Sequence, residues 1–116
     1  CLKCAMGEGE ISISATGDVY PCQLLHNDYF LAGNINENSI REILRDSPVL
    51  KKCRGISVDT IDGCKDCALK YICGGACRAR SYYETKSIEK SGNFCEYEKN
   101  AYLDGIVQIY SRNVFN

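Results

Sequence analysis

The chain has 116 residues, a hydrophobic fraction of 45%, a net charge of −1 and nine cysteines. That length allows one modest core of the kind that often needs a staple, and the charge gives no basic balance that would point to nucleic acid. No apolar run approaches the roughly 18–20 residues of a membrane span, and no signal-peptide pattern opens the chain, so neither a membrane nor a nucleic-acid partner is expected.

The start, Cys-Leu-Lys-Cys, has no initiator Met. This points to a segment of a longer protein, although processing leaves the same mark. Residues 10–22 read as a hairpin. Ile11, Ile13 and Ala15 alternate with Ser12, Ser14 and Thr16, the period of a half-buried strand. Thr16-Gly17-Asp18 is the turn, with Gly17 free to take positive φ. Val19 and Tyr20 begin the return strand, and Pro21, which has no N–H to give, ends its pairing. Cys22 then falls at the frayed end of the hairpin, a placement that brings it back towards Cys4.

Residues 29–35 read as a further short strand closed by a Gly-Asn turn. Ser39-Ile-Arg-Glu42 is a capping box opening a helix with Ile40, Ile43 and Leu44 as its buried stripe. Pro48 suits a first helical position, in a short element reaching Cys53. Residues 54–63 read as loop, and residues 64–77, with four cysteines and Gly74-Gly75, as an irregular knot. A helix is expected from Ala76 to about Thr85 and a polar loop over 86–93. From Cys95 a last helix follows, with Tyr97, Ala101, Tyr102, Ile106, Ile109 and Tyr110 at roughly helical spacing. The fold class expected is α+β, small and irregular: a hairpin, short helices and a cysteine-rich loop wrapped around metal, closed by a C-terminal helix. The whole of 1–116 is read as one such unit.

The cysteines carry the chemistry. An odd count without a secretion signal disfavours a pure disulfide framework and favours a reducing, cytoplasmic setting. Cys64-x2-Cys67-x5-Cys73-x3-Cys77, followed by Cys95, is spaced for ligands that converge on one ion or cluster. Thiolates are soft anions that select zinc or iron–sulfur over magnesium or calcium. Two tetrahedral zinc sites also need eight ligands, but the x5 and x3 intervals and the isolated Cys22 and Cys95 fit a zinc ribbon poorly. Gly74-Gly75 suits close approach of the backbone to a cluster, or simply a turn into the next helix. His26 reads as a surface residue. Arg78 and Arg80 read as an exposed helix face that in a functional role would steer an acidic peptide. Tyr82 and Tyr83 are core, or cover a cluster. Asp18, Asp59 and Asp62 read as ordinary loop residues, and no catalytic residue is assigned.

The order Cys4-x12-Gly17-x4-Cys22, gap, Cys64-x2-Cys67-x5-Cys73-x3-Cys77, gap, Cys95 resembles the seven-cysteine SPASM pattern, as do Gly-Asp-Val-Tyr-Pro-Cys at 17–22, Gly33-Asn34 and Tyr-Ile-Cys-Gly-Gly-Ala-Cys at 71–77. SPASM domains are C-terminal extensions of radical S-adenosylmethionine enzymes, including peptide maturases and sulfatase-maturating enzymes. The resemblance implies two auxiliary [4Fe–4S] clusters. The first would use Cys4, Cys22 and Cys77 with a ligand upstream of Cys4, for which Cys1 is the choice. The second would use Cys64, Cys67, Cys73 and Cys95. Cys53, or an open position that substrate fills, are the alternatives to Cys1. Cys53 otherwise reads as a small buried hydrophobe. The Cys-x3-Cys-x2-Cys motif of the S-adenosylmethionine-cleaving cluster is not in this sequence, so that cofactor is expected only in an N-terminal radical barrel of the same protein. The implied roles are electron transfer and binding of a peptide or protein substrate. The alternative is a docking module in which iron–sulfur or zinc is purely structural.

Overall fold

The computed structural model describes residues 2–114. The chain divides into two compact units, one of residues 5–56 and one that joins the N-terminal segment through Cys4 to residues 57 onward.

In the 5–56 unit, β1 (Ser12–Ile13) and β2 (Asp18–Tyr20) form the expected antiparallel hairpin, with Ser12 opposite Tyr20 and Ile13 opposite Val19. Gly17 in the turn has φ +88°, and a Cβ there would lie 2.6 Å from the Asn36 amide nitrogen, so the turn requires glycine. Pairing of β2 stops before Pro21. β3 (Gly33–Asn34) adds to the other side of β2, giving the order β1-β2-β3. The strand expected over 29–35 is thus only two residues long. The Asn27 side chain accepts from the Tyr29 N–H and turns 28–30 into one 3-10 turn, which buries Phe30.

α1 (Ile40–Asp46) opens on the capping box: the Ser39 hydroxyl accepts from the Glu42 N–H, and the Glu42 carboxylate accepts from the Ser39 N–H at 3.0 Å. Ser47 ends α1, donating its N–H to the Ile43 carbonyl, and caps α2 (Pro48–Gly55), in which Pro48 is first. Val19, Ile43 and Leu50 form one buried cluster of this unit, flanked by Ile11, Ala32 and Leu44. Gly33 lets α1 sit close to the sheet, since a Cβ there would be 3.1 Å from Ile43 Cγ1. Ile40, expected in the buried stripe, is 38% exposed. It stands in the first helical turn, where Ile43 alone reaches the core. The Arg54 guanidinium donates to the carbonyls of Gly7 and Leu44, tying the turn before the hairpin to both helices.

In the other unit, the Val58 N–H donates to the Leu2 carbonyl, and Val58, Ile61, Ala79 and Ile88 are buried. Segment 64–77 is less irregular than its composition implies, because it contains the one-turn helix α3 (Lys70–Cys73). α4 (Arg78–Thr85) begins two residues later than expected, because Ala76 has φ +57° and cannot be helical. The 86–93 loop is pinned to the chain before Cys64: Asp62 donates to the Glu89 carbonyl and accepts from the Ser91 N–H. α5 (Cys95–Val114) starts at Cys95 as expected and packs against α3. Its apolar side is exposed instead of buried: Tyr97 is 71% and Tyr110 70% accessible, and Ile106 and Ile109 are also exposed. The architecture is α+β with a small antiparallel sheet and a C-terminal helix.

Candidate metal centre

The cysteines from 64 onward are positioned by a series of tight turns. The Cys64 N–H donates to the Ile61 carbonyl, and Cys67 donates to Cys64 at 2.9 Å, folding the Cys-x2-Cys step into a single turn. Cys67 in turn accepts from Lys70, the first residue of α3, and Cys73 ends that helix. The Lys70 ammonium is paired with Asp59 at 2.7 Å, and the Tyr71 hydroxyl donates to the same carboxylate, so α3 is anchored to the loop before it. The Lys70 partner, followed by the Tyr71 hydroxyl, holds the Asp59 carboxyl below its ordinary value.

After Cys73 the backbone takes three successive left-handed conformations, Gly74 at +69°, Gly75 at +81° and Ala76 at +57°. This reverses the chain so that Cys77 stands immediately before α4, where it accepts from the Ser81 N–H. Cys95 enters from the opposite direction, as the first residue of α5.

These turns bring Cys64, Cys67, Cys73, Cys77 and Cys95 to the wall of one cavity, which also includes Phe94 and Tyr102 and the charged Arg78, Arg80, Glu98 and Lys99. Among the described residues, no three acidic, histidine or cysteine side chains converge closely enough to hold a single metal ion. The thiols surround a space. Burial pushes the Cys64 thiol up, Arg78 opposes this, and the neighbouring thiols of Cys95, Cys73 and Cys67 reinforce it. Burial also raises Cys95, with Lys99 opposing. Thiols gathered on the wall of one cavity fit the donor set of a thiolate-bound cluster, since ligation by metal relieves the cost of gathering them. Glu98 reaches Cys73 Sγ at 3.9 Å and pairs with Arg80 at 3.5 Å, while Arg80 lies over the Phe94 ring.

The other cysteines are distributed differently. Cys4 and Cys77 belong to one unit and Cys22 to the other, while Cys1 lies outside the described residues. Cys53 is 2% exposed on α2, and a Cβ on Gly7 would touch its own Cβ at 3.4 Å. It is packed as a small hydrophobe. His26 is an exposed residue, stacked on Tyr20 and hydrogen-bonded to Ser12. Asp18 serves the hairpin turn, accepting from Asn34 and Thr16. Tyr83 is exposed, with its ring edge-on to Tyr82.

Arg78 overturns its sequence reading. Expected on an exposed face, it is 1% accessible, the largest fully buried side chain among the described residues. Its guanidinium donates to the carbonyls of Gly75, Ile88 and Lys90, which close over it from both sides. No local pattern signals this, because two of the three acceptors come from the loop after α4.

SPASM, the iron-sulfur cluster-binding domain, matches residues 4–68, and the chain belongs to that family. Among curated relatives, it is 37% identical over 95 residues to the AdoMet-dependent heme synthase of Methanosarcina barkeri, covering 81% of this chain and 26% of that protein. It is 32% identical over 109 residues to the antilisterial bacteriocin subtilosin biosynthesis protein AlbA of Bacillus subtilis, covering 92% and 23%. With the mycofactocin maturase MftC of Mycobacterium tuberculosis it shares 27% over 81 residues, 69% of this chain and 20% of the relative. The chain spans about a quarter of the length of these relatives.

Proposed function

We propose that this chain is the auxiliary-cluster region of a radical S-adenosylmethionine enzyme and carries two [4Fe–4S] clusters. The cavity lined by Cys64, Cys67, Cys73 and Cys95 carries the reading for one of them. The other would be held by Cys1, Cys4, Cys22 and Cys77, with the packing of Cys53 on α2 favouring Cys1 over it as the fourth ligand. A [4Fe–4S] cluster supplies reversible uptake of one electron. The residues of this chain gather the thiolates and surround them with both apolar and charged side chains, which tunes the potential.

Cleavage of S-adenosylmethionine belongs to an N-terminal barrel of the same polypeptide. Its usual cysteine triplet is not in this sequence, and the relatives are about four times as long. The substrate proposed is a peptide, in line with the Bacillus relative, a bacteriocin biosynthesis protein. A second reading, a heme-forming reaction, is favoured by the higher identity to the heme synthase. A reducing cytoplasmic setting suits the thiols, and no helix among the described residues is long and apolar enough to cross a membrane.

Anaerobic purification tests the cluster reading. The expected product is brown, with roughly eight iron atoms per chain in this region and a paramagnetic signal on reduction. A colourless protein holding zinc contradicts it. Clusters that no reductant reaches would leave only the structural docking role.

A further inference from the structure

We propose that Arg78 is the fixed counter-charge of the cluster at Cys64, Cys67, Cys73 and Cys95, a positioning residue that sets the reduction potential of that cluster. The inference rests on the cluster reading above. Arg78 lies in the wall of the same cavity as those four thiols.

Three observations separate this role from that of a simple clamp. First, the guanidinium is buried without a carboxylate partner among the described residues, and the thiol that bears on it most is Cys64 of this cluster, followed by Cys4 and Cys77 of the other and by Cys73. A buried cation without an anion is costly, and the cost is met when the neighbouring thiols become metal-bound thiolates. Second, both terminal nitrogens are held by backbone carbonyls, which fixes the position of the charge. Third, Nε is buried and has no hydrogen-bond partner. With three of the five guanidinium N–H donors engaged by carbonyls, Nε is the nitrogen left wholly free to serve a sulfur of the cluster. A cation and an N–H donor beside a cluster favour its more negative, reduced state, and more so in a dry, low-dielectric site.

The test compares full-length protein, anaerobically reconstituted, as wild type, Arg78→Lys and Arg78→Gln. The variants are read by iron content and by a potentiometric titration of the paramagnetic signal that a Cys95→Ala variant lacks. Arg78→Gln is expected to disfavour reduction by at least tenfold, about 59 mV for a one-electron couple, with Arg78→Lys lying close to wild type. Loss of iron in Arg78→Gln with retention in Arg78→Lys supports the same conclusion. Equal potentials in all three proteins, equal shifts in both variants, or equal loss of iron from both overturn it. If the wild type itself holds no iron–sulfur, the cluster reading fails before Arg78 is tested.

Discussion

Gly75 shows how much a single position carries. Its φ of +81° lies in the region that side chains avoid, and a Cβ would sit 2.9 Å from Ile61 Cδ1 and 3.4 Å from Val58 Cγ1. Gly75→Ala therefore adds backbone strain to overpacking and is expected to destabilise the folded chain by roughly 1–3 kcal/mol, read as a lower denaturant midpoint together with reduced iron content. In the sequence, Gly74-Gly75 reads as a close approach to a cluster or a turn into the next helix, and the packing of Ile61 and Val58 against Gly75 was not legible. Nor was the burial of Arg78 three residues later. Charged residues follow glycine turns onto exposed helix faces far more often than they go inward. What reverses the expectation is a set of carbonyls at 75, 88 and 90, two of them more than two helical turns away in sequence.

Among the elements, local chemistry decided which were foreseeable. The hairpin, the Ser39–Glu42 box, Pro48 at the head of α2 and the start of α5 at Cys95 all depend on residues a few positions apart, and all are present. The 28–30 turn and α3 escaped notice because a side-chain cap at Asn27 and an ion pair between Asp59 and Lys70 decide them. The capping box gives two measurable consequences. Ser39→Ala is expected to cost about 1 kcal/mol in chemical denaturation. The Ser39 hydroxyl, followed by the Ser39 N–H, holds the Glu42 carboxyl below its ordinary value. The folded value is thus lower than the unfolded one, so the stabilisation is complete above the unfolded carboxyl's range and is lost as pH falls through the folded value. The stability gap between wild type and Glu42→Gln should be constant near neutral pH and close on acidification into that range. A gap that persists in acid would show that the carboxylate contributes nothing to the cap.

For the whole molecule, the sequence pattern indicated a cysteine-built centre and a long C-terminal helix, but not which side of that helix meets protein. Tyr97, Ile106, Ile109 and Tyr110 follow helical spacing and yet lie exposed, because periodicity records a face and not its partner. The cysteines sort more clearly. Cys64, Cys67, Cys73 and Cys77, which share one spacing pattern, line one cavity with Cys95, while Cys53 is packed on α2. The most direct measurement is iron and acid-labile sulfide per chain in the anaerobically reconstituted protein, compared with Cys64→Ala/Cys95→Ala and with Cys53→Ala. Loss of roughly four iron atoms in the double variant, with the Cys53 variant matching wild type, is the predicted result. Unchanged iron in the double variant, or loss of a cluster from Cys53→Ala, would contradict the account.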